Sequence, residues 1–255
     1  MAVSSERAAD GVVVVTLDYP PVNALPVRGW FDLADALRAA GEDRSTRVVL
    51  LRAEGRGFCA GIDIKEAQAD DGYDTLIGAN HGCYAAFSAV YHCPVPVVAA
   101  VHGFCLGGGV GVVGNADIVV AADDATFAVP EVDRGALGAA THLARLVPQH
   151  LMRTLYYTGR SIGAEQVRAH GGVYDVVSRS DLDEVALDLA REIAAKDGTV
   201  LRCAKQALNG IDPVDVDRSY RFEQGFTFEL NLAGVSDSAR QRFLDRRGTD
   251  RQSTG

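Results

Sequence analysis

A chain of 255 residues, 47% hydrophobic and 23% charged, is long enough to bury one large core and short for two full catalytic domains. A net charge of −9, without clustered Lys and Arg, excludes a general nucleic-acid surface, because phosphate binding draws on grouped cations. Cys59, Cys83, Cys93, Cys105 and Cys203 are odd in number and show no CxxC or Cys/His ligand spacing, which argues against a disulfide framework or metal site and for a reducing, cytoplasmic setting.

Along the chain, short β-branched runs recur at 12–17, 47–52, 95–101, 118–122 and 173–177, separated by helix-like or glycine-rich sequence. The longest apolar run of these, 95–101, is far too short to span a bilayer, so a soluble protein with no membrane partner is expected. Apolar residues return every three or four positions at 30–40, 73–91, 143–158, 164–170, 181–196 and 200–210, which predicts helices there. The alternation reads as α/β with partly parallel sheets. Beyond residue 195 the strand character is lost, which predicts an α/β core over 1–195, a helical region over 196–247 and a disordered polar tail over 248–255.

One local echo stands out. Gly57-Phe58-Cys59-Ala60-Gly61 and Gly103-Phe104-Cys105-Leu106-Gly107 each follow an apolar strand and lead toward a predicted helix. In both, the residue four after the phenylalanine, Ile62 or Gly108, is expected to open that helix, where its N–H has no intrahelical acceptor. Two such turns facing one point would stabilise an oxyanion without any titratable side chain. The run Gly107-Gly108-Gly109 also lets a ligand approach the backbone closely, although a packing-driven glycine turn explains the spacing equally well.

Taken together, Phe58-Cys59-Ala60-Gly61-Ile62-Asp63-Ile64-Lys65, the run Gly103 to Gly109 with Asp117 downstream, and Pro130-Glu131 before Gly135 resemble the enoyl-CoA hydratase/isomerase (crotonase) family. The likeness extends from Asn23-Ala24-Leu25 to Ser236-Asp237 and Arg242-Phe243-Leu244. It implies a spiral of ββα units, a helical C-terminal trimerisation region, and assembly as a trimer or hexamer. It further implies an acyl-CoA substrate, with no cofactor beyond the CoA moiety, and Ile62 and Gly108 as oxyanion donors. Asn23, Ala24, Leu25, Cys59 and Ala60 would line the CoA site, and Lys65 and Arg28 would contact its phosphates, although ordinary surface cations are an equal reading for these two.

Hydratases of the family use two glutamates, one to orient water and one to deliver a proton. Glu131 matches the second position, whereas the first falls on Gly111, so simple hydration is not expected. Asp133, Arg134 and His142 follow on the same segment. His142 is a candidate acid or base near neutral pH or else a core histidine, Asp63 is a candidate beside the first donor or else a helix cap, and His102 reads as structural. A narrower likeness, through residues 19–24, 134–142, 146–152 and 223–234, is to ring-opening members of the family that act on bicyclic keto-acyl-CoA in bacterial steroid catabolism. That chemistry needs one carboxylate, and the small Gly111 would leave room for a bicycle. An isomerase or hydratase using Glu131 alone, and a non-catalytic CoA-binding subunit, remain the alternatives. The aromatic segment 220–232 reads as packing or interface, with Glu223 or Phe226 facing substrate as the other reading.

Overall fold

The computed structural model describes residues 2–68 and 73–252. Its frame is a six-stranded sheet in the order β1-β2-β4-β6-β8-β11, made of β1 (Ala2–Arg7), β2 (Val12–Asp18), β4 (Val48–Ala53), β6 (Val97–Val101), β8 (Ile118–Ala122) and β11 (Asp175–Val177). β1 runs antiparallel to β2, and every other pairing in the sheet is parallel. All five strands expected from the sequence are present. The added edge strand β1 was not legible, because Ala2–Arg7 is mostly polar and shows no apolar run.

The inner strands read as continuous apolar runs because both faces of the sheet are covered. Val13, Val15 and Leu17 enter the main core with the helices α1 (Val27–Glu42) and α3 (Asp74–Tyr91). Val12 and Val14 face the opposite side, where they pack with Leu182, Ala186, Ala190 and Ala194 of α8 (Leu182–Ala194).

Short strands make a second layer. β3 (Ala24–Leu25) pairs with β5 (Gly61–Ile62), and β7 (Phe104–Leu106) lies beside β9 (Thr126–Ala128), which pairs with β10 (Ile162–Gly163). A parallel bridge between Cys59 and Cys105 joins the two groups. Three long strands are each followed by a short one and then a helix: β2-β3-α1, β4-β5 with α2 (Ile64–Gln68) and α3, and β6-β7 with α4 (Gly108–Val113). These successive turns form a spiral of ββα units. The Gly-Phe-Cys echo is the sequence trace of two stacked turns, with Phe58 N–H donating to His102 O (2.9 Å) and Leu106 N–H to Cys59 O (2.8 Å).

Two expectations need correction. The helix expected over 143–158 is interrupted: α5 covers Ala140–Leu143, and α6 starts only at Gln149, behind the extended Pro148 (φ −58°, ψ 150°). The proline has no N–H for a continuing helix. Ile62 also does not open a helix, since it lies in β5 and the next helix begins at Ile64. After α7 (Ala164–Ala169) and α8 the chain is helical, with α9 (Gly198–Gly210), α10 (Val216–Leu232) and α11 (Val235–Gln252). The segment expected as a tail from Gly248 is helical backbone through Gln252, and 253–255 lie outside the described residues. Among the described residues no helix is long and apolar enough to cross a membrane.

Candidate active site

The two echoing turns meet at Gly61 and Gly108. A Cβ on Gly61 would lie 3.4 Å from Gly108 N, and a Cβ on Gly108 would lie 3.6 Å from Gly61 Cα. Gly61 (φ +90°) and Gly107 (φ +52°) adopt left-handed backbone that side chains resist, so glycine is what allows both turns to close. Gly108 is the first residue of α4, where no carbonyl within the helix can accept its N–H. Ile62 reaches the same result by a different route. In the β3–β5 pair, Asp63 N–H donates to Leu25 O (2.9 Å), and alternation along the strand turns the Ile62 N–H away from β3.

Glu131 begins a 3-10 turn (Glu131–Arg134) after β9. Its Oε1 lies only 2.2 Å from where a Cβ on Gly107 would be, so the carboxylate rests directly on the glycine turn. The residue as a whole is partly exposed, but its carboxylate is enclosed and Oε2 has no hydrogen-bond partner. Burial pushes its pKa up to about 7, Arg134 and the residue's own backbone N–H oppose the shift, and the Glu223 charge adds to it.

The C-terminal helices hold this segment in place. Ser236 Oγ of α11 donates to Gly135 O (2.5 Å). Thr227 Oγ1 of α10 accepts from Leu137 N–H (2.9 Å) and donates to Leu137 O (2.7 Å). Glu223 accepts from Ala140 N–H (3.0 Å), Thr141 N–H (2.7 Å) and the Thr141 hydroxyl, and so caps α5, whose own N-cap, Ala139, has no side chain for the task. Glu223 is thus a loop-holding carboxylate, a role its sequence position alone does not reveal.

The remaining candidates divide. Asn23 accepts from Tyr19 N–H (2.7 Å) through Oδ1 and donates to Glu54 O (2.7 Å) and Gly57 O (2.9 Å), so its amide ties the β3 turn to the first Gly-Phe-Cys segment. Ala60 N–H donates to Asn23 O (3.1 Å), which brings Asn23, Ala24, Leu25, Cys59 and Ala60 into one strip. Cys59 is fully buried, and desolvation raises its thiol pKa to about 12. Arg28 pairs with Asp32 at 2.7 Å on the surface, and Lys65 is exposed. Asp63 caps α2, accepting from Lys65 N–H (3.0 Å). Asp133 packs against Gly159, at the end of α6.

His142 is fully buried behind α4, its ring centroid 4.9 Å from those of Phe87 and Tyr220, with Nδ1 3.2 Å from Asn115 Oδ1. Burial lowers its pKa to about 3, which leaves it neutral throughout the physiological range. The space expected to open beside Gly111 is filled, because a Cβ there would lie 2.2 Å from Phe87 Cζ. A cavity of about 660 Å³ is lined by Asp117, Arg145, Tyr174 and Ile211 and does not include the glycine turn.

The sequence profile described as Enoyl-CoA hydratase/isomerase matches residues 7–248. The chain belongs to the enoyl-CoA hydratase/isomerase family. An enoyl-CoA hydratase/isomerase from Xanthobacter autotrophicus superposes with a TM-score of 0.85 at 27% identity, over 97% of this chain and 93% of that one, so the crotonase fold is the one observed. Two family members are much nearer in sequence. The (7aS)-7a-methyl-1,5-dioxo-2,3,5,6,7,7a-hexahydro-1H-indene-carboxyl-CoA hydrolase of Rhodococcus jostii is 66% identical over 96% of this chain and 95% of its own. The protein of the same name from Mycobacterium tuberculosis is 62% identical over 96% of this chain and 99% of its own.

Proposed function

We propose that this enzyme hydrolyses a bicyclic keto-acyl-CoA of the indene-carboxyl type named for those two relatives, opening a ring by carbon–carbon cleavage in steroid catabolism. The observation that carries the reading is the buried Glu131 carboxylate, its Oε2 unpaired, resting on the Gly107–Gly108 turn beside two backbone donors. Glu131 takes a proton from water, and the resulting hydroxyl adds to the ring ketone carbon. The bond from that carbon to its neighbour then breaks, leaving a carboxylic acid, and its electron pair passes into an enolate whose oxygen faces the Ile62 and Gly108 N–H groups. Protonated Glu131 returns the proton to carbon, so one water is added in total. A carboxyl group with a pKa of about 7 suits both transfers at neutral pH.

The Asn23-Ala24-Leu25 strip with Cys59 and Ala60 would guide the CoA arm toward Arg28 and Lys65, and no further cofactor takes part. We place the enzyme in the cytoplasm, consistent with five free cysteines. We also infer self-association as a trimer or hexamer, supported by exposed Phe222 (68%) and Leu232 (73%) on α10.

The test is incubation with the bicyclic thioester and with a linear 3-enoyl-CoA, followed by mass spectrometry. The reading requires the bicyclic product to gain one water. Turnover of the linear substrate alone, at constant mass, would make the chain an isomerase, and a CoA-binding protein without turnover would make it a non-catalytic subunit.

A further inference from the structure

Trp30 is the only tryptophan of the chain and is fully buried on α1, on the face that also buries Leu33, Ala34 and Leu37. Its place in that apolar stripe makes it look like packing alone. The indole does more than fill space, because its Nε1 is buried with no hydrogen-bond partner. Buried indole N–H groups ordinarily find an acceptor, since leaving one unpaired forfeits its hydration without return.

The ring's position suggests where the acceptor comes from. A Cβ on Gly108 would lie 2.6 Å from Trp30 Cη2 and 2.9 Å from Cζ2, so the benzo edge of the indole covers the oxyanion glycine. Cζ2 is bonded to the carbon that carries Nε1, which sets the N–H along the edge nearest Gly108. On the other side of the turn, Glu131 rests on Gly107 with Oε2 unpaired. A buried donor and a buried acceptor without partners therefore flank two consecutive glycines. Phe87 meets the indole edge-to-face (5.8 Å between centroids, 88°) and fixes its tilt.

We propose that Trp30 is a third hydrogen-bond donor of the acyl site, its indole N–H meeting a carbonyl oxygen of the bound acyl group. The proposal rests on the reading of the Gly107–Gly108 turn as the acyl site and is independent of which acyl group is turned over. The thioester or ring oxygen then completes the pairing that the protein leaves open, and its negative charge in the enolate strengthens the bond where the reaction needs it.

A single tryptophan gives a single indole N–H resonance in the full assembly labelled with 15N-tryptophan. Acetoacetyl-CoA at saturation is expected to move that resonance downfield, while CoA without an acyl group leaves it in place. An unmoved resonance in the presence of saturating acetoacetyl-CoA overturns the proposal. Trp30→Phe keeps an aromatic ring and removes the N–H, and is expected to lower kcat on the bicyclic thioester on the order of 100-fold with a smaller change in KM. A folded Trp30→Phe enzyme with kcat within about twofold of the parent would also overturn it. Should that variant fail to fold, the resonance in the unsubstituted enzyme decides. If the resonance shifts but the bicyclic thioester is not turned over, the substrate assignment fails and the donor stands.

Discussion

Phe87 occupies the space that a side chain on Gly111 would need, with its Cζ 2.2 Å from where a Cβ would stand. The ring comes from the C-terminal half of α3 and is 2% exposed, so it is fixed by packing against Trp30, His142 and Tyr220. Where the resemblance to hydratases leads one to expect a carboxylate, at position 111, an aromatic ring fills the space instead, and the site gains no room beside the glycine.

Gly111→Glu, which puts a carboxylate where the hydratase resemblance expects the first of the two glutamates, is expected to destabilise the fold by about 3 kcal/mol or more, through overpacking and a buried charge. It is also expected to confer no hydration of a linear enoyl-CoA. Combining it with Phe87→Ala should recover part of the stability, because the two residues compete for one volume and their effects are not additive. Urea unfolding of the two single variants and the double variant checks this, and strict additivity would show that the ring is not the obstacle.

Glu131 links catalysis and stability to pH with opposite signs. As the base it must be ionised, so kcat/KM should rise as pH increases through about 7 and fall away below it. The folded protein holds the Glu131 proton more tightly than the unfolded chain does. This group's contribution is therefore fully favourable below the ordinary value of 4.5 and is lost as pH rises to about 7. Glu131→Gln should abolish turnover while retaining CoA-ester affinity, and should be more stable than the parent at pH 8 but not at pH 4. A flat stability difference across that range, measured by thermal unfolding, would count against a buried carboxylate.

Glu223 holds the loop that follows Glu131, and its charge adds to the upward shift of the Glu131 pKa. Glu223→Gln keeps the size of the side chain and one oxygen for the α5 N–H groups, so the fold should survive with a loss of about 1 kcal/mol. The acid limb of the kcat/KM profile should move to lower pH, because a neighbouring negative charge is gone. A purely structural residue would reduce activity at every pH without moving that limb.

What the sequence reveals follows the range of the forces involved. The inner strands β2, β4, β6 and β8 are legible because a sheet covered on both faces writes each as a largely apolar run, as in the four valines that open Val12–Asp18, and the edge strand β11 shows through its β-branched pair Val176-Val177. The two- and three-residue strands β3, β5, β7, β9 and β10 leave no periodicity, so Ile62 reads in the sequence as a helix start. Gly108 and Glu131 stand in recognisable local motifs. The contacts of Trp30 with Gly108 and of Phe87 with Gly111 join residues from different turns of the spiral and leave no local pattern. Likewise, Glu223 looks like one more charge on a helix until α10 is seen to cap α5.

Asp117, downstream of the glycine turn, serves the fold through an ion pair. Its carboxylate accepts from Val97 N–H (2.8 Å) and holds Lys205 Nζ at 2.7 Å and 2.8 Å. Lys205 is 4% exposed and is the one residue of α9 that is fully buried, so this ion pair docks the helix against β6 and β8. Lys205→Met removes the buried cation and leaves the Asp117 carboxylate, which solvent reaches in part, with only the Val97 N–H, which should cost about 1–3 kcal/mol. Adding Asp117→Asn should restore part of that loss, because the amide oxygen still accepts from Val97 while the uncompensated charge is gone. The folded fraction of each variant should keep the parent kcat. Denaturant midpoints measured alongside turnover check this, and a fall in kcat that exceeds the fall in folded protein would mean that Asp117 has a part in the chemistry as well.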